Sequence, residues 1–259
     1  MAMFDLHMVL AITGVALVGG LIGLDRTAAG QFMISQPIVA APLAGWLLGD
    51  ATAGLIIGAM LELIWVLDMP IGSFVPANAT VSAVTATAVA ALTSPGGAPR
   101  SVLGFCILLS VGTVPFTMMA DTYVRTWNSR LLDAAHAADG ADVARSLSRA
   151  HLTGLLAFFL KSVVLYVLLL PAGLVAAALF LRSPDRVRVS MELFLMLLPL
   201  LGAALVVRRL SISALDPFLL TGFITAGLLA MVLHLHAVMI TLLTVVAGWL
   251  GVRYREHRS

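Results

Sequence analysis

The sequence predicts an all-α, polytopic membrane protein with re-entrant or broken helices and a cytoplasmic amphipathic helical insert. Three observations predict it. Hydrophobic residues make up 61% of the 259 residues and charged residues only 11%, with a mean hydropathy of +1.06. Such a chain lacks the charge to cover a water-facing surface. Second, several apolar runs approach the roughly 20 residues a helix needs to cross a bilayer, and a helix satisfies its own backbone in lipid. Third, other apolar runs are short and interrupted by glycine and proline.

The remaining bulk properties exclude other classes. The formal charge of +2 and pI near 9.1 come from basic residues scattered between apolar runs, with no basic stripe interleaved with aromatics. Membrane anchoring and orientation explain them, and no nucleic-acid partner is expected. Cys106 is the single cysteine, so one chain can form neither a disulfide nor a cysteine-based metal site. The sequence contains no phosphate-binding glycine loop, dinucleotide motif, His-Glu-x-x-His or nucleophile elbow. No catalytic residue, metal or cofactor is therefore expected. No Lys or Arg precedes the first apolar run and no cleavage site follows it, so the first helix is expected to be retained.

In chain order, residues 8 to 24 form a first span, ended by Asp25 and Arg26. Residues 37 to 49 and 53 to 67 are each too short to cross comfortably and are separated only by Asp50, Ala51 and Thr52. They read as a re-entrant helical hairpin over 37 to 67, with two short interfacial helices as the alternative. Broken backbone at membrane depth occurs where protein buries it or a wet cavity is lined, so such segments point to a transporter's substrate site. Residues 73 to 92 must cross to make the threading consistent, and 93 to 100 form a turn-rich loop. Residues 101 to 120 span. Residues 121 to 150 form the polar insert, an amphipathic hairpin turning near Gly140. Residues 152 to 181 span with a tilt, or break at Pro171, and 190 to 207 span again. Residues 217 to 250 make two short spans divided around His234 and His236. The whole chain, 1 to 259, reads as a single membrane domain: an N-terminal region over residues 1 to 100, the insert 121 to 150, and C-terminal helices over 151 to 259.

Positive charge orients the spans. Arg125, Arg130, Arg145 and Arg149, then Arg208 and Arg209, then Arg253, Arg255 and Arg258 all fit the cytoplasmic side, which places the N-terminus outside and opens the hairpin from the cytoplasm. Arg182, Arg186 and Arg188 disagree. Either their loop is an exception or residues 152 to 181 are not one crossing.

Ionisable and polar groups among these apolar runs are the candidate substrate-binding residues. Glu62 lies inside the second hairpin arm, where an ionisable group costs several kcal/mol unless paired or hydrated. Its carboxylate can accept hydrogen bonds from sugar hydroxyls, or it can bond a helix terminus, or be a protonated buried acid. Asp68 and Asn78 sit in the Pro- and Gly-interrupted stretch 68 to 78, where Asn78 can equally cap the following helix and Asp68 can simply reach the interface. Gln36 stands at the mouth of the first arm. Asp25 and Arg26 can pair or lie in the headgroup region. Lys161, the single lysine, reads as snorkelling to the cytoplasmic face rather than pairing with Asp216 or Glu192. His234 and His236 point to different helix faces and do not make a metal site.

The run Pro37, Gly45, Gly49, Asp50, Gly54, Gly58, Leu61 and Glu62 resembles the hallmark of the IIC subunits of mannose/fructose/sorbose-class phosphoenolpyruvate-dependent sugar phosphotransferase systems. Pro70, Ile71, Gly72 and Pro76 are similar to the turn that follows it. Asp216, Pro217, Phe218, Gly222 and Phe223 are similar to a second family block. Ser35-Gln36-Pro37 stands where a His-Arg-Pro is often seen, Asn78 stands where the family has an acidic residue, and several residues are inserted between Asp25 and Pro37.

The resemblance implies a multi-pass permease of a bacterial inner membrane that binds a hexose-like sugar between broken helices. It implies a membrane IID subunit and soluble IIA and IIB proteins as partners, an oligomer, and phosphorylation of the sugar by IIB on the cytoplasmic side. The chain would then be a non-phosphorylated subunit of a phosphotransferase complex rather than a catalyst by itself. The alternatives are an independent secondary transporter or channel of the same fold, and a non-transporting scaffold or receptor subunit.

Overall fold

Apolar runs that must satisfy their own backbone become helices, and every regular element among the described residues is one. The computed structural model describes residues 5–26, 28–65, 75–136 and 143–210. The chain divides into two units, Met1–Leu205 and Val206–Ser259, and of the second only the last residues of one helix are described. Asp68, Asp216, His234, His236, the segment 217 to 250 and the C-terminal arginines lie outside the described residues.

Helix α1 (Leu6–Leu24) starts where the Asp5 side chain accepts the Met8 N–H at 2.8 Å. Helices α2 (Pro37–Leu47) and α3 (Ala51–Trp65) form the hairpin expected from the sequence, packed along their length. Pro37 opens α2, where its missing N–H costs nothing. Gly49 turns the chain with φ +82°, a backbone that favours glycine. Gly54 and Gly58 let the two backbones touch: a Cβ at either would fall inside contact distance of the Ala41 or the Pro37 carbonyl. This is the small-residue packing that draws helices together where lipid gives no hydrophobic drive between them.

Helix α4 (Ala79–Thr93) is the centre of the bundle. Every residue from Ala79 to Ala91 is buried, and the helix packs against α1, α2, α3 and two later helices. Its buried residues are only alanine, valine, threonine and serine, so neighbours approach from all sides.

Helices α5 (Arg100–Gly112) and α6 (Val114–His136) follow, separated at Thr113. Pro115, in the first turn of α6, has no N–H for a carbonyl one turn back, which marks the break. Helix α7 (Val143–Leu181) runs through Pro171 without interruption, so the expected alternative of a break there does not occur. At 1.5 Å per residue its 39 residues are about 58 Å long, enough to cross a hydrocarbon core of about 30 Å and continue beyond it. The loop carrying Arg182 therefore lies at the opposite end of one helix from Arg145 and Arg149, and at the start of the next helix Arg188 pairs with Asp185. Helix α8 is Asp185–Leu210.

The two helical arms of the segment 121 to 150 are the end of α6 and the start of α7. The turn near Gly140 lies outside the described residues. Among the described residues, four stretches are long and apolar enough to cross a membrane: Leu6–Leu24, Arg100–Asp133, Val143–Leu181 and Asp185–Leu205. Leu10, Leu21, Leu168, Leu179 and Leu197 point outward from them, each more than half exposed. Such an outer face suits lipid, and the chain is a multi-pass membrane protein.

Candidate functional site

Three backbone interruptions gather polar groups that a continuous span would exclude: the loop 25 to 36 after α1, the open end of the α2–α3 hairpin, and the N-terminus of α4. Asp25 sits just past α1 and is buried. Its carboxylate accepts the N–H groups of Phe32 at 2.6 Å and Ser35 at 3.0 Å, folding the loop back on itself. Burial by itself would push this carboxyl up, but the N–H groups of Ser35, Phe32 and Ile34 outweigh it and hold the pKa below its ordinary value. Beside it, the Arg26 guanidinium donates to the Ala77 carbonyl at 2.8 Å. The Thr80 hydroxyl donates to the Ser35 carbonyl at 2.6 Å and so ties the same loop to α4.

Gln36 is the first flanking residue of α2 and makes no side-chain cap. That N-terminus is instead met from α3, where Glu62 Oε2 accepts the Ile38 N–H at 3.1 Å. A carboxylate at a helix N-terminus also faces the positive end of its dipole. Glu62 is half-buried, and its Oε1 accepts no hydrogen bond among the described residues. Asn78 caps α4, its Oδ1 accepting the Val81 N–H at 3.2 Å, and its Nδ2 donates to Asp121 Oδ2 at 3.4 Å. The other carboxylate oxygen of Asp121 receives the Lys161 ammonium.

Asp25, Gln36, Glu62 and Asn78 thus lie on segments joined by direct hydrogen bonds. Asp68 lies outside the described residues. The expectation that Lys161 snorkels is corrected: its side chain is enclosed between α6 and α7 and paired with Asp121. The arm of α6 that carries Asp121 packs along α7 and puts a carboxylate within reach of the ammonium, so Lys161 pairs instead of reaching for the interface. Asp121 itself was missed, since as the first residue of a polar segment it looked solvated. Its one sequence signal is that it directly follows the apolar run 101 to 120.

At the closed end of the hairpin, Asp50 accepts the Ala53 N–H at 2.9 Å and the Ala98 N–H at 3.1 Å, fastening the tip to the loop before α5. A cavity of about 400 Å³ lies there, between Thr52, Ile56 and the glycines 96 and 97. A second, of about 320 Å³, lies between α6 and α7 and is lined by Asn128, His151 and mostly apolar side chains. Neither is lined by the sequence-predicted site residues. Among the described residues no cluster of His, Cys, Asp or Glu could hold a metal ion.

Residues 9–248 match the family model described as "PTS system sorbose-specific iic component". The chain belongs to this family. As a IIC component of a sugar phosphotransferase system, it is similar to the fructose permease IIC component of Bacillus subtilis (strain 168), 26% identical over 223 residues that cover 86% of this chain and 77% of that one. It is equally 26% identical to the mannose-specific EIIC component of Escherichia coli (strain K12), over 206 residues covering 76% of this chain and 73% of the other. A solved structure described as "Structure of membrane protein" matches with a TM-score of 0.70 over 96% of each chain at 21% identity, which supports the fold. The IIC hallmark maps onto the hairpin: Gly54 and Gly58 are points of α2–α3 contact, Gly49 the turn, Asp50 the tip fastener, and Glu62 the residue that meets the N-terminus of α2.

Proposed function

We propose that this chain is the sugar-conducting IIC permease of a mannose-class phosphotransferase system in a bacterial inner membrane. A hexose-like sugar binds where the hairpin opening, the loop 25 to 36 and the start of α4 converge. Glu62 and Asn78 contact its hydroxyls, with Gln36, Asp25 and Asp68 contributing to the same site. The sugar is delivered to the cytoplasmic side and phosphorylated there by a IIB protein that has received its phosphoryl group from IIA. A membrane IID subunit completes the permease, and the assembly is oligomeric.

One observation carries this reading. Glu62 is a half-buried carboxylate on a short broken helix, with one oxygen that accepts no bond among the described residues, beside a helix N-terminus that offers N–H donors. Vicinal sugar hydroxyls, each both donor and acceptor, match that pairing. The hairpin is re-entrant in this reading, because α2 and α3 are too short to cross and their polar ends are joined to other broken backbone.

Membranes holding this chain together with candidate IIA, IIB and IID partners test it, by phosphoenolpyruvate-dependent formation of sugar phosphate from radiolabelled mannose and fructose. Native membranes are expected to form product, and Glu62→Gln to lose most of it while inserting normally. Facilitated uptake of unmodified sugar, with no phosphorylation by any partner set, would instead favour an independent transporter.

A further inference from the structure

We infer that Asp121, held by Lys161, is a positioning residue for sugar recognition: it fixes which way the Asn78 amide faces. This rests on the reading of Asn78 as a hydroxyl contact.

An asparagine amide is nearly symmetric in shape, so its neighbours decide which end is oxygen and which is nitrogen. At Asn78 both ends are committed. The oxygen must face the Val81 N–H, a donor at 3.2 Å, and the nitrogen must face Asp121 Oδ2, an acceptor at 3.4 Å. Turning the amide over would set oxygen against a carboxylate and nitrogen against an N–H, losing both bonds. The amide nitrogen has two hydrogens, and among the described residues Asp121 takes one and none takes the other, so Asn78 offers a donor, of fixed orientation, to an oxygen of the ligand.

A carboxylate among spanning helices needs a counter-charge. Lys161 supplies it on the second oxygen of Asp121, leaving the first for Asn78. The Arg26 bond to Ala77, the residue before Asn78, holds the backbone of the same cap from the other side.

The test separates orientation from stability in the intact membrane system with its partners, using a panel of radiolabelled hexoses and N-acetylhexosamines. The double variant Asp121→Ala with Lys161→Met removes both charges of the pair together, and with them the acceptor. It is expected to insert and to keep its maximal rate within about threefold, while KM rises roughly tenfold or more. The double variant Asp121→Asn with Lys161→Met restores an acceptor oxygen without the charges, and KM is expected to return most of the way to native. Equal KM values for the native protein and the two double variants would overturn the inference and leave the pair a structural one. So would failure of both doubles to insert, which would assign the pair to folding. Absence of phosphorylation of every panel sugar by native membranes would overturn the transport reading first, and this inference with it.

Discussion

Lys161 on α7 and Asp121 on α6 form an ion pair with only 8% and 7% of their side chains exposed, joining two long helices of the bundle. Removing one partner of such a pair leaves the other charge buried alone, which costs about 3–5 kcal/mol. Lys161→Met by itself is therefore expected to lower the thermal unfolding temperature in detergent sharply. Adding Asp121→Ala is expected to recover most of the loss, and an unchanged melting curve in the single variant would show that the pair carries little stability.

The hairpin depends on backbone contact at Gly54 and Gly58, where a side chain has no room. Gly58→Val is expected to force α2 and α3 apart and to destabilise the protein by roughly 1–3 kcal/mol, the usual penalty of overpacking. Gly112 has open space around it, so Gly112→Ala serves as the matched control with little effect on the same unfolding measurement.

Asp50 does two jobs with one carboxylate, capping α3 through Ala53 and holding the loop before α5 through Ala98. Asp50→Ala is expected to cost about 0.5–2 kcal/mol from the cap alone. It should also loosen the loop 94 to 99, read as faster amide hydrogen exchange there. Exchange that stays native in that loop would refute the tether.

Asp25 gives a pH signature. Its carboxyl lies below its ordinary value in the folded protein, so its contribution is fully present above the unfolded value near 3.8 and is lost as pH falls through the lower folded value. Unfolding scans between neutral and strongly acidic pH are expected to show stability falling below about pH 4. Asp25→Asn should be less stable at neutral pH and should flatten that acid slope.

Much of the fold was legible because membrane insertion is a local property of sequence. The first span, the hairpin around Asp50 and the long apolar runs all follow from apolar run length and from the residues that interrupt it, and the same reading singled out Glu62 as a candidate. Other features needed the tertiary structure. The arms of the polar segment 121 to 150 are continuous with the flanking spans, because helical hydrogen bonding carries on from α6 past residue 121. Of the two readings left open for residues 152 to 181, a tilt or a break at Pro171, α7 takes the unbroken one, with Tyr166, Leu170 and Leu174 in the core. Nothing in the pattern of α4 announced a central helix, since small residues carry a weak hydropathy signal and gain their role only from the neighbours they admit.

By itself the sequence determined a multi-pass α-helical protein with a glycine-rich broken hairpin, because composition and run length act within one segment, and its motifs carried the resemblance to the IIC family. Only the tertiary structure decided which partner each polar side chain takes. Glu62 with Ile38, Thr80 with Ser35, Asn78 with Asp121 and Arg26 with Ala77 bridge 24, 45, 43 and 51 residues of chain. Inside a membrane a polar group must find such a partner, since water is not there to replace it. Which group lies within reach depends on how the helices pack, and that is set by shape and close approach rather than by any one segment.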